Sequence, residues 1–242
     1  MKIRKETKNL GNIIIKPVEK TLAKEMIIKN HYSHKWNAGF GKYCYGIFCE
    51  ENPDDCLGVA VYGYMKNPKA QIFTHPNPKA WMCELNRMWI DDCLGHNAET
   101  LLIGASLRLL RQADNNIVAV QSFADGRLGC GTIYKAANFQ YYDYHYTRFL
   151  ENTRTGEFVH EQNFTNSTSK TAYLRCNVLY LIGDFRVWQV KTYRYIYPFD
   201  KKFKFKMPQQ PYPKYAKGIE SVKWVRDTTA IKTKINYILK TI

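Results

Sequence analysis

Ser122 and Asp125 lie where a short apolar run, Ile117-Val118-Ala119-Val120, gives way to the polar cluster Gln121-Ser122-Phe123-Ala124-Asp125-Gly126. A hydroxyl and a carboxylate at the end of a strand, beside a loop that opens a helix, occupy the place where open α/β sheets hold ligands. A carboxylate there can take a proton from a substrate pressed against it, which makes Asp125 a candidate general base. Asp125 followed by Gly126 is also the chemistry of a turn. His31, closing a helical stretch, is a second candidate base if that helix end folds over the same strand mouth; capping the helix is its other use. His31 and His34, three residues apart, would with a carboxylate such as Glu84 also suffice to chelate a metal. One capping plus one exposed histidine is the simpler reading.

These residues need elements to position them. Asn12 to Val18, with Ile13-Ile14-Ile15, reads as a strand that Pro17 marks as first or edge in its sheet. Glu19 to Lys29 repeats apolar residues (Leu22, Ala23, Met26, Ile27) at helical spacing and ends at Asn30-His31-Tyr32-Ser33-His34. Lys42 to Cys49 and Cys56 to Tyr64 are two strands joined by the turn-rich Glu51-Asn52-Pro53-Asp54-Asp55, a hairpin. Cys83 to Ile90 alternates as a central strand, and Asp91 to His96 breaks it. Asn97 to Ala113 is a helix with Ala98, Leu101, Leu102, Ala105 and Leu109 on its buried face. Ile117 to Val120 is a covered strand, Gly131 to Asn138 a short helix, and Gln140 to Asn152 a tyrosine-rich strand. The fold class expected is α/β (α+β): a mixed, centrally antiparallel sheet flanked by helices, with residues 1–150 as a core and 151–242 as an extension completing the sheet.

The chain has 242 residues, and its 36 Lys and Arg against 21 Asp and Glu give +15. The last 92 residues hold +10 of that excess. Such a field attracts polyanions, nucleic acid ahead of an anionic membrane because no basic amphipathic helix accompanies it; a basic surface kept for solubility is the alternative. The charged start Met1-Lys2-Ile3-Arg4-Lys5-Glu6 is no signal peptide, and no apolar run is long enough to span a membrane, so the protein is expected in the cytoplasm. Seven cysteines fit reduced thiols there. Cys44, Cys49 and Cys56 lack the paired spacing of a zinc site.

The extension mixes cations with rings. Thr153 to Thr171 is a polar stretch that reads as a loop; Lys191 to Tyr197 alternates, with Tyr193, Tyr195 and Tyr197 on one face and Arg194 on the other. Lys202, Lys204 and Lys206 alternate with Phe203 and Phe205. Rings that stack on bases and cations that hold phosphates make these the expected contacts to nucleic acid, a half-buried strand with a solvated lysine face being the plainer alternative.

The order of elements resembles the GNAT superfamily of N-acyltransferases and, within it, the Mom family of phage DNA-modification proteins. The resemblance rests on Asn30-His31-Tyr32-Ser33, on Glu84-Leu85-Asn86-Arg87-Met88-Trp89-Ile90, and on Ser122-Phe123-Ala124-Asp125 followed by Gly131-Thr132-Ile133-Tyr134-Lys135-Ala136-Ala137-Asn138-Phe139. It covers residues 12 to 142. It implies a transferase that converts the exocyclic amine of adenine in phage DNA to a carbamoylmethyl derivative, so that host nucleases fail to cut. It assigns function to His31, Tyr32, Glu84, Arg87, Ser122, Asp125 and Tyr134. Tyr134 would take the superfamily's role of protonating a leaving thiolate, a core ring with a satisfied hydroxyl being its other use. Tyr32, Glu84 and Arg87 would bind substrate.

The superfamily also implies acyl-CoA, acetyl-CoA first, bound by a glycine-rich loop before the long helix. Here that loop is Asp91-Asp92-Cys93-Leu94-Gly95-His96-Asn97-Ala98-Glu99, with three carboxylates that repel a diphosphate; Gly95 and the amides of Asn97 and Ala98 are what remains for a weaker cradle. Two other readings compete: acyl transfer to a protein or small-molecule amine, and a nucleic-acid-binding module without chemistry. The sequence leaves the oligomeric state, a dimer included, open.

Overall fold

The computed structural model describes residues 2–7, 11–160, 185–215 and 228–241. In chain order the elements are β1 (Ile3–Thr7), β2 (Gly11–Pro17), α1 (Lys20–Asn30), β3 (Tyr43–Cys49), β4 (Cys56–Tyr64), β5 (Phe73–Thr74), β6 (Trp81–Ile90), a single 3-10 turn (Asp92–Leu94) and α2 (Ala98–Ala113). There follow β7 (Ile117–Asp125), α3 (Thr132–Ala136), β8 (Gln140–Asn152), β9 (Phe158–His160), β10 (Phe185–Pro198), β11 (Lys204–Phe205) and α4 (Thr228–Leu239). The elements group into two compact units that interleave along the chain instead of dividing at residue 150. Met1–Phe123, Gly131–Asp143 and Arg194–Tyr212 make the first; Ala124–Cys130, Tyr144–Tyr193 and Pro213–Ile242 make the second.

The first unit is the mixed α/β sheet expected, with strand order β1-β2-β3-β4-β6-β7 followed by the end of β10 and the start of β8. Neighbours from β1 to β6 run antiparallel, and β6 pairs with β7 in parallel. One expectation is corrected: β2 is not the edge. The charged segment Ile3-Arg4-Lys5-Glu6-Thr7 pairs outside it, Ile3 opposite Ile15, a strand whose polar composition hides it from pattern reading. Pro17 ends β2 opposite Tyr45, where a missing N–H costs little.

Helix α1 lies on this sheet because Ala23 and Ile27, four residues apart, bury completely against Phe40, Cys44, Phe48, Val59 and Val61. Helix α2 buries Leu102, Ile103, Ala105, Leu109 and Leu110, and its one buried hydroxyl, Ser106, is satisfied at 2.7 Å by the Tyr62 hydroxyl. Met65, Met82, Val118, Tyr142, Ile196 and Phe203 form a further cluster under the small β5–β11 pair. The second unit contains the remainder of β8 and β10 with β9, Phe149 standing opposite His160, and α4, which buries Ile238.

Of the polar stretch from Thr153 to Thr171, residues 161–171 lie outside the described ones. Six of the seven cysteines are among the described residues, all as free thiols. No described helix is long and apolar enough to cross a membrane.

Candidate active site

Two local features of β6 create the site. Its parallel pairing with β7 runs Trp81–Ile117, Met82–Ala119, Cys83–Val120, Glu84–Gln121 and goes no further, although β6 continues to Ile90 and β7 to Asp125. The two strands therefore part just beyond Glu84 and Gln121. On its other edge β6 carries one extra residue against β4: Val61 stands opposite Arg87 and Tyr62 opposite Leu85, so Asn86 is the bulge. A bulge re-aims the side chains around it. Here it gathers Glu84, Asn86 and Arg87 beside the opening.

Glu84 is the centre of this group. Gln121 Nε2 donates to its Oε2 at 2.7 Å and Asn86 Nδ2 to its Oε1 at 3.1 Å. Burial pushes the Glu84 carboxyl above the usual range, while the two amide bonds and the nearby Arg87 and Arg194 charges pull it back. Arg87 donates to its neighbour's carbonyl, Asn86 O, at 2.6 Å and lies 4.7 Å from the centre of the Phe40 ring. Asn86 fits only because Gly63, facing Glu84 from β4, has no side chain. A Cβ there would stand 2.5 Å from Asn86 Oδ1 and 2.3 Å from Gly39 O.

From β7, Ser122 is 1% exposed and donates to Leu85 O at 3.3 Å, bridging the strands where their ladder has stopped. Its oxygen is hydrogen-bonded to the Tyr134 hydroxyl. Tyr134, on α3, packs its ring on Phe139 and Tyr195 at 5.5 and 5.2 Å. Burial, with Tyr32 and Glu84 nearby, pushes its hydroxyl up to about 12, so it stays protonated at neutral pH and is an acid, not a base.

His31 closes α1, its N–H donating to Ile27 O at 3.1 Å. Its Nδ1 accepts from the Ser33 amide at 3.1 Å and sits 2.9 Å from Ser33 Oγ. Burial first, then Arg87 and His34, lower its pKa to about 4. The ring is thus neutral with its proton on Nε2, a hydrogen-bond donor. Tyr32 stacks on it, ring centres 4.3 Å apart, and is 55% exposed. His34 turns back to Ile28 O at 2.9 Å, a capping contact. Among the described residues no three His, Cys, Asp or Glu side chains converge as a metal site.

The residues expected from sequence are distributed as follows. His31, Tyr32, Glu84, Arg87, Ser122 and Tyr134 belong to the first unit, where Arg87 lies within electrostatic reach of His31, Tyr32, Glu84 and Tyr134. Asp125 belongs to the second unit, and its carboxylate has a full set of partners: the Arg127 amide at 3.0 Å and the Arg127 guanidinium, which grips both oxygens. Arg127 in turn lies 3.8 Å over the Phe149 ring. That is the turn chemistry the sequence also allowed.

Arg194 is half-buried between Phe123 and Phe205, 5.4 and 5.6 Å from the ring centres, within electrostatic reach of Glu84. Tyr193 and Tyr195, expected to stack on bases, are 6% and 1% exposed and form part of the core. Lys202, Lys204 and Lys206 are exposed, as their alternation with Phe203 and Phe205 suggested.

The loop before α2 spends its own amides: Cys93 N–H goes to Asp91 Oδ1 at 2.9 Å, Leu94 to Asp91 O and Gly95 to Asp92 O. Asn97 caps α2 in the left-handed conformation, and Ala98 is buried. A separate cavity of about 430 Å³ lies between Gly104, Arg108 and Arg111 of α2, Asn138 and Tyr197, apart from Glu84 and its partners. Gln121 and Asn86 were missed as site residues. Their signal was only their place, in the polar end of one strand and between Glu84 and Arg87 in the other.

The Mom protein family model matches residues 12–214. Methylcarbamoylase mom of Escherichia phage Mu is 31% identical over 204 residues, which cover 80% of this chain and 80% of that protein. Among solved structures, NAA60 of Arabidopsis thaliana in complex with acetyl-CoA is 7% identical with a TM-score of 0.47, covering 77% of this chain and 99% of that one. Ribosomal-protein-S5-alanine acetyltransferase of Vibrio fischeri is 7% identical with a TM-score of 0.45, covering 83% and 98%.

Proposed function

The chain belongs to the Mom protein family, and from that premise we propose that it is a transferase that places a carbamoylmethyl group on the exocyclic amine of adenine in double-stranded phage DNA, inside the infected host cell, where the modification evades restriction. The observation that carries the reading is a half-buried carboxylate, Glu84, held by two amides where β6 and β7 part, with a protonated tyrosine nearby in the same unit.

An adenine amine is a poor nucleophile because its lone pair is delocalised into the ring, so its proton must leave as the new N–C bond forms. Glu84 is the acceptor. Its raised pKa makes it a stronger base than a solvated carboxylate, and Arg87 and Arg194 keep it ionised until the proton arrives. Tyr134 supplies a proton to the leaving atom of the donor, and Ser122 then turns its own hydroxyl hydrogen toward the phenolate. His31 Nε2–H orients the substrate. A base inside a duplex has to be flipped out to reach such a site, and the exposed Tyr32 ring is the platform for it. Lys202, Lys204 and Lys206 hold phosphates, which positions the duplex without reading its sequence.

Acyl-CoA fits this chain poorly. The amides of Cys93, Leu94 and Gly95 are consumed within their own loop, and Asp92 and Glu99 add negative charge where a diphosphate would sit. No step is assigned to it. The test is mass spectrometry of nucleosides from DNA of cells expressing the chain. Adenine heavier by one carbamoylmethyl group, absent with Glu84→Gln, is the expected result. Unmodified DNA from the parent would overturn the reading and leave acylation of another amine, or binding without chemistry.

A further inference from the structure

Among the described residues four buried side-chain polar atoms have no hydrogen-bond partner: Asn86 Oδ1, Arg87 Nε, Gln121 Oε1 and Arg194 Nε. All four belong to residues that bond to Glu84 or feel its charge. Buried orphans are rare in folded proteins, and their partners are ordered water, an ion or a bound ligand. Asn86 Oδ1 is set aside because it lies against Gly63, 2.5 Å from where a Cβ would stand, with little room for a further group on that side. What remains is two cationic donors and one neutral acceptor, next to a carboxylate that still has lone pairs to offer.

The chemistry of the missing ligand follows from that pattern. A group that met all three would accept from guanidinium N–H groups and donate to Gln121 Oε1. A carboxylate meets the first demand and fails the second, and it would stand against Glu84. An ammonium fails the first. A primary carboxamide meets both, with one carbonyl oxygen and two N–H donors. We infer that Arg87, Arg194 and Gln121 form a subsite for the terminal carboxamide of the transferred group, the carbonyl oxygen facing the arginines and the NH2 facing Gln121 Oε1. Gln121 is then a specificity-determining residue: it reads amide against acid.

This inference rests on the proposal that Glu84 marks the transfer site, and the experiment keeps the two apart. The purified full chain is titrated with acetamide and, separately, with acetate, followed by ligand-observed NMR, for the parent and for Gln121→Met, which keeps the length of the side chain and removes its amide. The parent should bind acetamide at least tenfold more tightly than acetate. Gln121→Met, shown to be folded by its cooperative thermal transition, should lose that preference. Equal binding of the two probes, binding of neither, or an unchanged preference in a folded Gln121→Met would each overturn the subsite, and binding of neither would assign the orphaned atoms to ordered water. Nucleoside analysis of DNA from expressing cells is read alongside. Modified adenine with no amide preference removes the subsite and leaves the function; amide preference with unmodified DNA removes the function and leaves an amide-binding site.

Discussion

Glu84→Gln is the substitution that separates chemistry from architecture at this site. The variant keeps the shape of the side chain and an acceptor for Asn86 Nδ2, but it cannot take a proton. Loss of a positioned general base lowers rates by about 10²- to 10⁴-fold, or about 3–5 kcal/mol of barrier. The effect on folding should be far smaller, because two changes oppose each other: Arg87 and Arg194 lose a nearby negative charge, and the cost of burying that charge disappears. A net change of about 1 kcal/mol corresponds to a melting shift of only about 2–4 °C in a chain of this size.

The pH dependence gives a second handle. Only ionised Glu84 accepts a proton, so modification should fall as pH drops through its pKa, and burial places that fall above the ordinary carboxylate range. His31, lowered to about 4, titrates below it, and Tyr134, at about 12, puts any alkaline loss far from neutrality. The stability linkage runs the other way. Because the folded pKa of Glu84 is raised, its contribution is most favourable below the unfolded pKa and is lost as pH rises through the folded one. Modified nucleoside would be measured in clarified lysate, which supplies the donor, buffered from about pH 5 to about pH 9 around the Brønsted optimum. Full activity in Glu84→Gln, or an acid limb that survives in it, would refute the assignment.

Tyr134→Phe removes only a hydroxyl and its bond to Ser122; modification should drop by about 10²-fold or more while the urea midpoint moves by about 1 kcal/mol or less. Gly63→Ala forces a Cβ against Gly39 O and Asn86 Oδ1 and should cost about 1–3 kcal/mol in denaturant unfolding, with loss of modification. Asp125→Asn breaks the fork with Arg127 and should cost about 1.5–3 kcal/mol; if a variant retaining its fold still loses all modification, Asp125 has a catalytic use beyond the ion pair. Neutralising Lys202, Lys204 and Lys206 together should flatten the log-log salt dependence of duplex affinity by about 0.9 for each phosphate no longer held, with no change in base preference; an unchanged slope would assign these lysines to solubility.

Most of the first unit was legible because its signals are local. The hairpin of β3 and β4, the α1 stripe of Ala23 and Ile27, and the α2 stripe ending at Ala113 each lie within one stretch of chain. Strand β1 was not legible, since Arg4, Lys5 and Glu6 carry no alternation of apolar residues; its pairing with β2 is a tertiary choice. Tyr193 and Tyr195 misled for the opposite reason. Alternation predicts one face buried and does not say that the tyrosine face is the buried one.

The proposed base illustrates the harder limit. Asp125 and Glu84 are both carboxylates on strands, and Asp125 has the better local credentials: a strand end, a polar cluster, a following glycine. What distinguishes them is which one retains an unsatisfied role after folding, and that depends on pairing. Asp125 meets Arg127 two residues away, a contact any chain with that spacing can make. Glu84 lies mid-strand, where sequence reads a half-buried ladder residue, and only the end of the β6–β7 register at Gln121 opens space beside it. The extra residue at Asn86 matters in the same way. Strict alternation through Glu84, Leu85, Asn86 and Arg87 would send Arg87 to the far face, and the bulge opposite Val61 and Tyr62 brings it back toward Glu84. Both features are properties of strand pairs and not of either strand, so Glu84 and Arg87 could be read as site residues in the sequence while Asn86, Gln121 and the assembly of the four could not.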